Sequence, residues 1–71
     1  MPYVNITITR EKEPVTAEQK QRLIAGVTDL LKEVINRGPA TTVVVIDEVD
    51  TEDWGVGGLP VEEYRNRVSE E

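Results

Sequence analysis

The chain opens Met1-Pro2, and removal of an initiator methionine in front of proline would leave a secondary amine, which accepts a proton once it is neutral. A free α-amine has a reference pKa of about 7.7–8.0, a proline nitrogen sits higher, and desolvation or a nearby cation lowers either toward neutrality. Pro2 is thus a candidate general base. Most other chemistries are closed, because the 71 residues include neither histidine nor cysteine. No Ser/His/Asp set, Cys/His pair or His/Cys zinc site can be assembled, and there is no glycine-rich phosphate loop. What remains are arginines, one tryptophan, two tyrosines and many carboxylates. Arg10 and Lys12 alternate with Glu11 and Glu13, which by itself reads as solvated ion pairs worth about 0–1 kcal/mol. Trp54 by itself suits a subunit interface, where tryptophan is enriched. Asp47, Glu48, Asp50, Glu52 and Asp53 do not follow the Asp-x-Asp-x-Asp-Gly order of a calcium loop, so they read as a solvated acidic turn, and no metal is expected.

A base at the terminus is useful only if something holds it. From Tyr3 to Arg10, Val4, Ile6 and Ile8 alternate with Tyr3, Asn5, Thr7 and Thr9, the period of a half-buried strand that begins directly after Pro2. Glu11-Lys12-Glu13-Pro14 breaks the strand, and Thr16-Ala17-Glu18-Gln19 fits a capping box that opens a helix. Leu23, Ile24, Val27, Leu30, Leu31 and Val34 give that helix one apolar stripe, and Gly38 and Pro39 are expected to end it. Thr42-Val43-Val44-Val45-Ile46 then reads as a strand covered on both faces. The unit is βαβ with a right-handed crossover. Trp54-Gly55-Val56-Gly57-Gly58 reads as a tight hairpin or a close backbone approach, with the glycines serving geometry, and residues 60–71 as a polar, partly mobile tail.

So short a chain buries a small share of its surface, and without disulfide or metal the stabiliser left to it is oligomerisation. Two strands and one helix leave a sheet face and two edges uncovered, which a second copy would complete. A net charge of -6 disfavours nucleic acid and anionic membrane as partners. No run has the length and apolarity of a signal or spanning segment, so the expected location is cytoplasmic.

From Pro2 to Gly58 the chain resembles the 4-oxalocrotonate tautomerase family: a proline after Met, a short alternating strand, a helix opening Thr-Ala-Glu-Gln-Lys, a second apolar strand, then Asp-Glu and Trp-Gly-Val-Gly-Gly. The resemblance implies an α/β (α+β) fold in a single domain over residues 1–71, a βαβ unit with a short hairpin. Two protomers would pair into a four-stranded sheet, and the dimers would build a homohexamer, a hetero-oligomer with a paralogue being the alternative. It also implies that Pro2 moves a proton between an enol or dienol and its conjugated 2-oxo acid without a cofactor, in a setting such as aromatic degradation. Trp54 falls where the family places an aromatic residue in the apolar wall of the site. Arg10 is the nearest match to the family's substrate-binding arginine in the loop after the first strand, a loop that is longer here, with Lys12 competing for the part. A second family arginine, in the second strand, aligns with Val43 or Thr42. That strand carries no cation, which leaves Arg37, Arg65 or Arg67, a different mode of holding substrate, or a residue of a partner chain.

The expected function is therefore tautomerisation of small unsaturated 2-oxo acids. Proton transfer along a 2-hydroxydienoate needs a base near neutral pKa, a cation at the oxygens where charge develops, and dry apolar walls. Pro2, Arg10 and Trp54 are the residues expected to supply them. Two alternatives stand beside it: a dehalogenase or hydratase of the same superfamily, which would need a second carboxylate to activate water, and a non-catalytic subunit of the same fold, supported by the missing strand cation.

Overall fold

The computed structural model describes residues 1–70. Strand β1, Tyr3–Arg10, turns Val4, Ile6 and Ile8 toward one side, half-buried, and Tyr3, Asn5 and Thr7 toward the other, exposed. Helix α1, Ala17–Ile35, crosses over this sheet to strand β2, Val43–Asp50, which pairs parallel to β1 from Tyr3 opposite Val43 to Arg10 opposite Asp50. The helix starts as its sequence dictates. Gln19 N–H donates to the Thr16 hydroxyl at 3.1 Å, and Thr16 N–H donates back to the Gln19 side chain at 2.9 Å.

Its end differs from the expected Gly38-Pro39 stop. Asn36 takes the left-handed conformation, φ 57°, and Lys32 Nζ donates to its side-chain oxygen at 2.9 Å. Asparagine tolerates that region, so the helix ends before glycine is reached. Gly38 instead precedes a 3₁₀ turn over Pro39–Thr41. Thr42 is absorbed by this turn, its N–H donating to Pro39 O at 3.3 Å and its hydroxyl to Gly38 O at 3.0 Å, which is why β2 begins at Val43. At its other end β2 runs past Ile46 through four residues expected in the acidic turn. Their carboxylates find partners: Asn5 donates to Asp47 at 2.7 Å, Lys20 and Arg10 pair with Glu48, and Arg10 pairs with Asp50.

A second 3₁₀ turn, Thr51–Asp53, leads to a hairpin of β3, Gly55–Val56, and β4, Leu59–Pro60. Gly57 and Gly58 form its two-residue loop with φ of 60° and 87°, the backbone of a primed turn that only such residues enter cheaply. Residues 61 onward, read as a polar tail, form helix α2, Val61–Glu70. Val61, Tyr64 and Val68 recur at helical spacing, Glu62 and Glu63 sit in the first turn and Arg67 in the last, as the helix dipole favours. Val61, 6% exposed, is the one buried residue among those described, and its N–H donates to Trp54 O at 2.8 Å, tying α2 to the hairpin.

No residue of β2 is buried within the chain, although its β-branched run suits cover on both faces. The radius of gyration is 15.9 Å, well above the roughly 11 Å of a compact 71-residue domain. Among the described residues no helix is long and apolar enough to cross a membrane.

Candidate functional site

Pro2 lies half-buried immediately before β1, and by the two-residue period it continues the face carrying Val4, Ile6 and Ile8. Its carbonyl accepts from Val43 N–H at 3.0 Å. That bond fixes the residue through its carbonyl and leaves the nitrogen outside the strand pairing. Met1, 93% exposed, covers nothing, so its removal would free the Pro2 nitrogen without loosening the anchor.

Arg10 stands at the other end of the same strand. Eight residues at a strand's rise of about 3.3 Å separate it from Pro2 by about 26 Å. Its Nη1 pairs with Asp50 Oδ1 at 2.5 Å and its Nε lies 3.8 Å from Glu48 Oε2, while the side chain remains 54% exposed. Glu48 also accepts from Lys20. The Lys20 hydrogen bond holds the Glu48 carboxyl below its ordinary pKa, with the charges of Lys20 and Arg10 assisting against partial burial.

Trp54 follows Asp50 by four residues and is half-buried. Its N–H closes the second 3₁₀ turn onto Thr51 O at 3.2 Å, and its carbonyl accepts from Val61. Because β1 and β2 are parallel, Trp54 belongs to the Arg10 end. The three residues expected to act together therefore fall into two places within one chain: Pro2 at one end of the sheet, Arg10 and Trp54 at the other.

Around Arg10 the β1–α1 loop and α2 enclose an open groove lined by Arg10, Glu11, Lys12, Glu13, Thr51, Glu62 and Arg65. Arg65 grips Glu11 with Nη1 at 2.9 Å and Nη2 at 3.1 Å, and Thr9 donates to the same carboxylate. Those hydrogen bonds, Arg65 first, lower the Glu11 pKa to about 2. This second cationic element was hidden in the sequence because α2 was not expected. Its signal was the Val61, Tyr64, Val68 spacing. Asp50, Glu52 and Asp53 bring carboxylate oxygens within 4.8 Å of one another, but all three are exposed and Asp50 already faces Arg10. Of the five carboxylates expected in an acidic turn, only Glu52 and Asp53 lie in the turn after β2, and the other three belong to the strand.

The comparisons with known proteins agree with this architecture. The probable tautomerase K2 of Dickeya dadantii is 59% identical over 69 residues, 97% of this chain and all of that protein. The crystal structure of DmpI from Helicobacter pylori superposes with a TM-score of 0.83 at 46% identity, covering 92% of this chain and 97% of that one. A heterohexamer 4-oxalocrotonate tautomerase from Chloroflexus aurantiacus superposes at 0.75 with 25% identity, covering 89% and 97%. A family model described as "Tautomerase enzyme" matches residues 2–64, from the half-buried proline through the hairpin into α2, and the chain belongs to that family.

Proposed function

We propose that this chain is a cofactor-independent isomerase that moves a proton within small unsaturated 2-oxo acids, with Pro2, freed of Met1, as the base. The observation that carries the reading is the placement of Pro2: half-buried, anchored through its carbonyl at 3.0 Å, with its nitrogen left out of the sheet. A base must be in its neutral form, and desolvation is the general means by which an ammonium is disfavoured. The base takes a proton from the enol or dienol and returns it to a carbon of the conjugated system, and a cation stabilises the oxygen where charge develops.

Arg10 and Trp54 enter this scheme through a second chain. Antiparallel pairing of two β1 edges would bring the Arg10 end of one chain to the Pro2 end of the other and make a four-stranded sheet. Such dimers would be the units of a hexamer. Assembly with a related chain, as the name of the Chloroflexus relative describes for that protein, is the heteromeric version of the same site.

The test combines two measurements on one preparation: intact mass, and ketonisation of 2-hydroxymuconate followed by ultraviolet absorbance, with Pro2→Ala as control. Loss of Met1 together with a fall of about 100-fold or more in the variant is expected for removal of a general base. A retained Met1, or turnover indifferent to Pro2, would overturn the mechanism. The pairing of Arg10 with Asp50 and Glu48 favours one second reading, a non-catalytic subunit that keeps the fold and has lost the site. That reading predicts no turnover by the chain alone or after mixing with a paralogue.

A further inference from the structure

Strand β2 carries no cation, whereas the segment between α1 and β2 carries Arg37. Helix α1, 19 residues and about 28 Å long, runs the length of the sheet in the direction opposite to the strands. It begins beside Glu48, where Lys20 reaches that carboxylate, and ends beside the start of β2. The start of β2 is also where Pro2 is held. Arg37 follows the left-handed Asn36 and precedes Gly38, whose carbonyl accepts the Thr42 hydroxyl at 3.0 Å. Thr42 is followed by Val43, whose N–H donates to Pro2 O at 3.0 Å. Two hydrogen bonds and one turn thus link the backbone of Arg37 to that of Pro2, at the same end of the sheet and on the face covered by α1.

The other cations are elsewhere or engaged. Lys32, also at this end, donates to Asn36 at 2.9 Å. Arg10 pairs with Asp50, and Arg65 with Glu11, both at the far end. Arg37 is exposed and has no carboxylate partner among the described residues. A guanidinium with no carboxylate partner among the described residues, linked through the backbone to a half-buried proline, is suited to take a carboxylate in its two-pronged grip.

We propose that Arg37 binds the substrate carboxylate next to Pro2, doing from the helix end what a strand cation would otherwise do. This rests on the reading of Pro2 as the base, and the two can fail separately. Binding is read with cis,cis-muconate, an unsaturated dicarboxylate lacking the 2-oxo group, by Trp54 fluorescence or by amide shifts at Tyr3 and Val43, with its dimethyl ester as the neutral control. Arg37→Gln should weaken muconate binding about tenfold or more, the scale of one lost charge-assisted contact. It should leave the weak ester binding unchanged, and Arg37→Lys should recover part of the loss. In turnover of 2-hydroxymuconate the loss should appear mainly in KM. Equal muconate affinity in wild type and Arg37→Gln, or no muconate binding by the wild type, overturns the role of Arg37. Activity that survives Pro2→Ala overturns the base instead, whatever Arg37 does.

Discussion

Arg65 and Thr9 converge on Glu11, and this cluster shows how a surface carboxylate becomes part of the fold. Its pKa lies near 2 in the folded chain against an ordinary 4.5, because the ionised form collects the hydrogen bonds. A depressed folded-state value means that the stabilisation is fully present above the unfolded pKa and is lost as pH falls through the folded one. The Arg65–Glu11 grip should therefore support α2 at neutral pH and fade between about pH 4.5 and 2. Melting curves of wild type and Glu11→Gln should differ at pH 7 and converge near pH 2; a gap that persists at the acid end would show that Glu11 acts by packing. Both side chains remain partly exposed, so the effect should be modest and should shrink in high salt. At this scale the sequence is legible where a residue's role is local. Pro2 stands out because it adjoins Met1 and a clean alternation. The partners of Arg10 do not, because Glu48 and Asp50 lie about 40 positions away and meet it only through the parallel register.

Elements were readable to the extent that their limits are set by neighbours in sequence. The Thr16/Gln19 box and the Gly57-Gly58 loop are such cases, each a short pattern with one favourable geometry. The end of α1 falls two residues before the Gly38 signal because Asn36, a weaker left-handed former than glycine, acts first. The sequence pattern ends β2 at Ile46 because acidic residues disfavour strands in isolation, whereas in the fold Asn5, Lys20 and Arg10 partner them from adjacent elements. Helix α2 does not stand out in the sequence, because its polar composition outweighs three apolar residues at helical spacing. What seats α2 is Val61. Truncating it to alanine removes two methyl groups that are out of water, worth about 1.5 kcal/mol at ~0.8 kcal/mol each. We expect Val61→Ala to loosen α2 and the hairpin together, read as faster amide exchange from Trp54 to Arg67 while the β1–β2 amides are unaffected. Uniform loss of protection over the whole chain would instead mean that α2 and the βαβ unit melt as one.

As a whole the single chain is an incomplete object. Its radius of gyration is 15.9 Å, it has one buried residue among those described, and α1 leaves Leu30, Val34 and Ile35 exposed. Both edges of its two-stranded sheet lack a partner among the described residues. The separation of Pro2 from Arg10 along β1, about 26 Å, gives this incompleteness a functional form: a site that uses both must draw them from different chains. Pro2→Ala removes the base from every site it builds, and Arg10→Gln removes the cation from every site it builds, so each variant alone should be nearly inactive on 2-hydroxymuconate. Equal amounts of the two, dissociated and reassembled together, should regain activity. A site with Pro2 from one variant and Arg10 from the other forms in about a quarter of cases if chains combine at random in a symmetric assembly. Recovery toward that fraction, appearing only after subunits have exchanged, would establish the shared site. Mixtures that stay inactive while either variant still assembles would overturn the shared site, and an Arg10→Gln variant that keeps full activity would place Arg10 outside the chemistry and leave the groove beside α2 a structural joint.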